Sequence, residues 1–175
     1  LFPFFFPVVS WLFNSFFAHL PFFNMFCVTG YIIARPAPSL VGEKEYSVSV
    51  IVPARNEKGN IENAVIRTPK LGKHTEIIFV EGHSSDDTLD EIKRVYEKYK
   101  DTHDISYTVQ DGKGKGDAVR KGFAMAKGDV LMILDGDLTV PPEDLPKFYH
   151  AIASGKGEYI NGCRLVYPME KQAMR

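Results

Sequence analysis

The sequence predicts an α/β fold, a mainly parallel sheet with helices on both faces. Two observations carry this expectation. From Tyr46 onward, short runs rich in β-branched residues alternate with segments of helical periodicity. Polar stretches, most of them bearing glycine, follow those runs at the strand ends where open parallel sheets bind ligands.

Each element has its own signal. "YSVSVIV" (46–52) is β-branched and stops at Pro53, as a buried strand does. "EIIFV" (76–80) is expected as the second strand. The segment "SDDTLDEIKRVYEKYK" (85–100) puts Leu89, Ile92, Tyr96 and Tyr99 on one helical face, with Ser84 or Ser85 as the cap. "ISYTVQ" (105–110) reads as the third strand. In "GDAVRKGFAMAKG" (116–128), Ala118, Gly122 and Ala126 form a small face suited to close packing on a sheet, and Gly128 is expected to end the helix. "DVLMIL" (129–134) is a wholly apolar fourth strand. "PPEDLPKFYHAIAS" (141–154) opens with prolines suited to a first turn and turns Leu145, Phe148, Tyr149 and Ile152 inward. "EYINGCRL" (158–165) is expected as a fifth strand.

Composition narrows the function. The 175 residues suffice for one domain with a real core, and a net charge of −1 lacks the basic field that marks nucleic-acid binding. Cys27 and Cys163 fit no zinc or redox spacing and are expected to be reduced thiols that pack. All the Lys, Arg, Asp and Glu lie from Arg35 onward, whereas ten of the 13 phenylalanines precede it. Residues 1–34 are therefore a distinct apolar segment, 35–45 a linker with prolines and the first charges, and 46–175 the main domain.

The apolar segment is long enough for a bilayer crossing, which takes about 20 residues. Pro3, Pro7 and Pro21 interrupt it, and the longest proline-free piece, Val8 to Leu20, suits an interfacial or re-entrant helix. Membrane association is the expectation, with the tail of a preceding domain as the alternative. A start at Leu1 and an end in "MEKQAMR" suggest a C-terminally truncated piece of a longer chain.

The expected strand ends collect chemistry. "PARNE" (53–57) follows the first strand, "EGHSSDDT" (81–88) the second, "DGKGKGD" (111–117) the third and "DGD" (135–137) the fourth; the fifth leads to Arg164. Three glycines let backbone amides approach an anion, with Lys113 and Lys115 between them. The spacing is neither a P-loop nor a dinucleotide fingerprint. Asp135 and Asp137, two residues apart on an extended chain, are expected to face one point. Their repulsion calls for a cation, and carboxylate oxygens suit Mg2+ or Mn2+ whose remaining ligands are phosphates.

"VSVIVPARNEKGNIENAV", "IIFVEGHSSDDT", "GKGDAVRKGFAMAKGDVLMILDGDL" and "NGCRLVYPMEKQAMR" together resemble glycosyltransferase family 2, of GT-A fold, and within it the dolichyl- or polyprenyl-phosphate sugar transferases. The resemblance runs from about Tyr46 to Arg175. It implies that Pro53, Arg55 and Glu57 line the base and ribose pocket and that Glu81, the first acid of the family's "DDGS", bonds the nucleoside. It further implies that Lys115 touches phosphates or sugar and that Asp135 and Asp137 are the D-x-D, with Asp137 the preferred direct metal ligand. Arg164 is implied to meet the diphosphate or an acceptor phosphate. Asp135, Asp137 and Arg164 are thus the expected catalytic set.

Three departures stand out. Arg55 occupies a position where the lipid-phosphate subgroup often has tyrosine, Gly82 replaces the second acid of "DDGS", and His83 replaces its glycine. His83 is expected to be a solvated loop residue, and Asp86 and Asp87 to favour the next helix's dipole. The implied reaction is inverting, metal-dependent transfer of a sugar from a nucleotide-diphosphate donor, with a polyprenyl phosphate as an acceptor that needs no general base. A membrane-associated protein with a cytoplasmic catalytic domain is expected. The rival readings are a nucleotidyltransferase and a non-catalytic nucleotide-sugar-binding membrane module.

Overall fold

The computed structural model describes residues 45–162. The apolar segment 1–34, nearly all of the 35–45 linker, Arg164 and the last part of the expected fifth strand lie outside these residues.

Four parallel strands form one sheet: β1 (Ser47–Ala54), β2 (His74–Glu81), β3 (Asp104–Val109) and β4 (Val130–Ile133), in the order β3-β2-β1-β4. Strand β1 is central, with Val48 opposite Thr75 on one side and opposite Val130 on the other. It also runs through Pro53, where the sequence suggested a stop. Ile51 O accepts from Leu134 N and Ala54 O from Gly82 N, so backbone groups alternate between the two neighbouring strands. Pro53 therefore faces the β4 side just past the last ladder pair, where its missing N–H costs no bond.

The helices are α1 (Ile61–Arg67), α2 (Thr88–Tyr99), α3 (Lys115–Met125) and α4 (Leu145–Ala153), the last entered through a 3-10 turn at Pro142–Asp144. One sheet face, with Val48, Val50, Val52, Phe79 and Met132, packs against Ile61 and Val65 of α1, Ile92 and Val95 of α2, and Leu145 and Tyr149 of α4. The other, with Ile51, Ile78 and Val80, packs against Ala118 of α3. Helices thus cover both faces, as the alternating pattern predicted.

Several local expectations need correction. Helix α1 was not anticipated; its seven residues are too few to display a period. Ser84 and Ser85 do not cap α2, which begins after Asp87, with Asp86 accepting the Thr88 N–H at 3.0 Å. Gly128 does not end α3, whose cap is Ala126 in an extended conformation. A Cβ on Gly128 would lie 2.6 Å from Ser49 N, so the glycine serves close packing instead. Gly122 does act as predicted: its added Cβ would sit 2.5 Å from Ile51 Cγ2. Strand β4 is not buried on both faces, since Leu131 and Ile133 are 43% and 46% exposed. Residues 158–162 form no strand. Among the described residues, no helix is long and apolar enough to cross a membrane.

Candidate active site

The carboxyl ends of the strands enclose an open cavity of about 250 Å³. Pro53, Ala54, Arg55 and Glu57 line it from the end of β1, and Val80 and Gly82 from β2. Gln110 contributes from the end of β3, Gly114, Lys115 and Ala118 from the start of α3, and Asp135, Gly136 and Asp137 from the turn after β4.

The two acids reach the cavity by a route the sequence did not suggest. Strand β4 ends at Ile133, and Leu138 N donates to Asp135 O at 2.9 Å, closing a turn. The acids share the cavity because the chain turns, rather than through the two-residue alternation of a strand. Glycine is needed between them: a Cβ on Gly136 would lie 2.9 Å from Pro53 O and 3.3 Å from Glu57 Cγ. The turn thus rests directly on the end of β1.

Strain gathers at this mouth. Asn56, His83 and Leu138 have φ of 58°, 56° and 52°, and no other non-glycine residue described has positive φ. Asparagine and histidine are enriched in this region, yet a non-glycine residue there, leucine above all, costs of the order of 1–2 kcal/mol. The surrounding bonds hold the conformation in place. Ser84 Oγ accepts from Asn56 N at 3.0 Å, Asn56 Oδ1 accepts from Ser85 N at 2.8 Å, and Thr88 Oγ1 accepts from Glu57 N at 2.9 Å. These bonds join the loops after β1 and β2 into one rim.

The resemblance-derived residues fall into three groups. Pro53, Arg55, Glu57, Lys115, Asp135 and Asp137 are brought together on the cavity. Glu81 sits beneath it, 3% exposed, and is not part of its wall. Its Oε1 accepts the Ser84 N–H at 2.6 Å. Burial disfavours its charge, but bonds from Ser84 and His83 prevail and hold its carboxyl below the ordinary range. Arg164 lies outside the described residues. Lys113, in the same glycine-rich loop as Lys115, does not line the cavity.

Electrostatics differ along the cavity. Lys115 Nζ contacts Asp135 Oδ1 at 2.5 Å, while Asp137, exposed, accepts the Thr139 N–H at 3.0 Å. Gly114, at φ 85°, lets the loop turn into α3, whose N-terminus opens onto the cavity. Asp117 pins that loop by accepting from Gly112 N at 2.8 Å. Arg55 makes no hydrogen bond or ion pair among the described residues and lies against Gly82, where an added Cβ would meet Arg55 Cβ at 3.1 Å. The missing second acid of "DDGS" and the arginine are thus neighbours.

The donor set suits a hard divalent cation. Two carboxylates line one cavity, one already holding an ammonium ion, and among the described residues no group of three or more potential ligands gathers anywhere. Two oxygen ligands with an anion completing the shell is the usual Mg2+ arrangement. Gln110 is the wall residue the sequence reading passed over. Its one signal was that it is the polar residue closing the expected third strand.

Solved structures share this architecture. A mannosyltransferase from Pyrobaculum calidifontis, in complex with GDP-Man and Mn2+, matches with a TM-score of 0.53 at 22% identity over 83% of this chain and 42% of its own. A glucosyl-3-phosphoglycerate synthase from Mycobacterium tuberculosis, in complex with UDP, matches with a TM-score of 0.50 at 25% identity over 64% and 42%. The fold is that of the GT-A glycosyltransferases. The chain belongs to glycosyl transferase family 2, whose pattern its residues 49–175 match. Dolichol-phosphate mannosyltransferases of Saccharomyces cerevisiae and Pyrococcus furiosus are each 38% identical, over 59% and 66% of this chain. An undecaprenyl-phosphate 4-deoxy-4-formamido-L-arabinose transferase of Salmonella paratyphi B is 33% identical over 57%. The aligned parts span 40%, 34% and 32% of these three relatives.

Proposed function

We propose that this domain moves a sugar from a nucleotide-diphosphate donor to a polyprenyl phosphate, with inversion at the anomeric carbon. The observation that carries the proposal is the shared cavity of Asp135, Asp137 and Lys115 with the rim of Arg55, Glu57 and Gly82. The acids and the ammonium suit a metal-bound diphosphate, and the side of Arg55 and Gly82 offers room for a nucleoside. Names of relatives that act on dolichol phosphate and undecaprenyl phosphate support the acceptor class.

In this reading Asp137 and Asp135 hold Mg2+ or Mn2+. The ion, when bound, neutralises negative charge on the departing diphosphate. Lys115 leaves Asp135 for the phosphates, and the N-terminus of α3 adds its dipole. Both favour the diphosphate more as its charge develops. Pro53 and Glu57 flank the ribose, and Glu81 holds the rim in shape from below. Arg164 completes the set at the diphosphate or the acceptor phosphate. The acceptor is already an anion, so no group need remove a proton from it. Residues 1–34 are proposed to bring the domain to a membrane on its cytoplasmic side.

The test is transfer from a panel of nucleotide sugars to dolichyl and undecaprenyl phosphate in detergent, with and without EDTA. Labelled lipid that forms only with metal supports the proposal. Metal-dependent donor binding without transfer would favour a binding module. Release of pyrophosphate from a nucleoside triphosphate and a sugar phosphate would favour a nucleotidyltransferase.

A further inference from the structure

The loop that leads to Lys115 is held at one residue from two sides. Gly112 N donates to Asp117 Oδ2 at 2.8 Å, and Gly112 O accepts from Gln110 Nε2 at 3.1 Å. Both backbone groups of one glycine are thus bonded by side chains, one from just past β3 and one from the first turn of α3. Gln110 is itself fixed: it is 5% exposed, and its backbone N–H donates to Glu81 O at 2.9 Å. Asp117 lies close against the glycine, since an added Cβ on Gly112 would sit 3.0 Å from Asp117 Oδ1. Lys121 Nζ holds the preceding residue, Asp111, at 2.6 Å.

The loop needs such anchors. Gly112, Gly114 and Gly116 alternate along it, and glycine loses more conformational freedom on ordering than any other residue. The cap of α3 is Gly114, which has no side chain to bond the free N–H groups of the first turn. Asp117, in that turn, reaches back past the cap. A capping box works in the same way, but here the acid bonds the N–H of Gly112 rather than that of the cap. The bond ties the loop to the same helical turn as Lys115, whose ammonium meets Asp135 on the cavity. Asp117 does not line the cavity. Its charge works against its bond, because a carboxylate near an anion site repels the anion.

We infer that Asp117 and Gln110 are positioning residues for the transfer, resting on the function proposed above, in which Lys115 serves the phosphates. By holding Gly112 between them they set where Lys115 presents its ammonium to the donor's diphosphate. When Lys115 leaves Asp135, the clamp keeps the first turn of α3 in place. The consequence is opposite to simple electrostatics. Removing the negative charge of Asp117 should loosen the anion rather than tighten it, unless the replacement can still accept from Gly112.

The test is calorimetry of inorganic pyrophosphate binding in the presence of Mn2+. The proteins are the native chain, Asp117→Ala, Asp117→Asn, Lys115→Met and the double variant of Lys115→Met with Asp117→Ala. Asp117→Ala should weaken binding about tenfold, the order that one hydrogen bond to a charged group represents. Asp117→Asn keeps an oxygen that accepts from Gly112 N and should bind at the native level or slightly more tightly. On top of Lys115→Met, Asp117→Ala should change binding by less than about twofold, because the group it positions is gone. Gln110→Met frees only the Gly112 carbonyl and should weaken binding about two- to fivefold. It decides the matter if Asp117→Ala does not fold, native binding then counting against the clamp. Native or tighter binding by Asp117→Ala overturns the inference, as does a full tenfold loss on top of Lys115→Met. Native binding by Lys115→Met would instead sink the underlying reading of Lys115 at the phosphates.

Discussion

Lys115 Nζ lies 2.5 Å from Asp135 Oδ1, so a side chain of the first turn of α3 holds the acid that follows β4. The lysine is 58% and the aspartate 34% exposed, and such pairs contribute only about 0–1 kcal/mol. The contact is therefore a weak reason for stability and a better description of a site in which an ammonium stands where a metal ion would compete. Lys115→Met should leave the unfolding midpoint almost unchanged. It should tighten Mn2+ binding to the nucleotide-free protein about two- to fivefold, the factor that an exposed pair of this strength represents. It should also weaken donor binding, because the phosphates lose a cation. Electron paramagnetic resonance of free Mn2+ measures the first effect and calorimetry the second.

Gly136 is pressed against the end of β1, with 2.9 Å separating its would-be Cβ from Pro53 O. Backbone cannot yield as a flexible side chain can. Gly136→Ala should move the turn and both acids, lowering metal-dependent donor binding about ten- to a hundredfold. Its stability cost should be about 1–3 kcal/mol, as for modest overpacking. Urea denaturation alongside binding separates the two effects; native binding by the alanine variant would show that the turn has room to spare.

His83 holds φ of 56° in the loop after β2. This explains in backbone terms why the related pattern carries glycine at that position. His83→Gly removes a strain of about 1–2 kcal/mol but adds about 0.5–1 kcal/mol of chain entropy. The expected result is unchanged or slightly raised stability. His83→Val should lose at least about 1 kcal/mol, since a β-branched residue fits this region worst. Thermal melts of the two variants check the contrast.

Much of this architecture was legible beforehand because its signals are periodic. The apolar runs of β1 to β4, the face of α2 with Ile92 and the inward row of α4 with Leu145 and Tyr149 follow from spacing alone. The misses share a different cause. Helix α1 is too short to show a period. Ser84 and Ser85 resemble caps, but their bonds to Asn56 depend on a loop 28 or 29 residues away. Gly128 looked like a helix stop, yet its role is contact with Ser49, 79 residues away. At the site, the cluster of acids and glycines after the strands was visible, while the use of Gln110 was not. Its side-chain Nε2 donates to the Gly112 carbonyl, a side-chain-to-backbone contact that composition does not record.

Glu62 of α1 is bonded by Lys98, Tyr99 and Arg94 of α2, in that order of influence, and its carboxyl falls from the ordinary 4.5 to about 2. A depressed carboxyl stabilises the fold above its unfolded value and loses that contribution as pH drops from about 4.5 to about 2. The stability difference between the native protein and Glu62→Gln should therefore be present at pH 7 and shrink toward pH 2.5. Urea unfolding of both at several pH values measures it; a difference independent of pH would show that the cluster adds nothing through charge.

The most direct test of the account is nucleoside-diphosphate binding to the native protein and Asp137→Ala, titrated with and without Mn2+. Asp137 is exposed and bonds only Thr139 N among the described residues, so the variant should fold normally by circular dichroism. Mn2+ should strengthen binding to the native protein and have no effect on the folded variant. Equal metal dependence in both would contradict it.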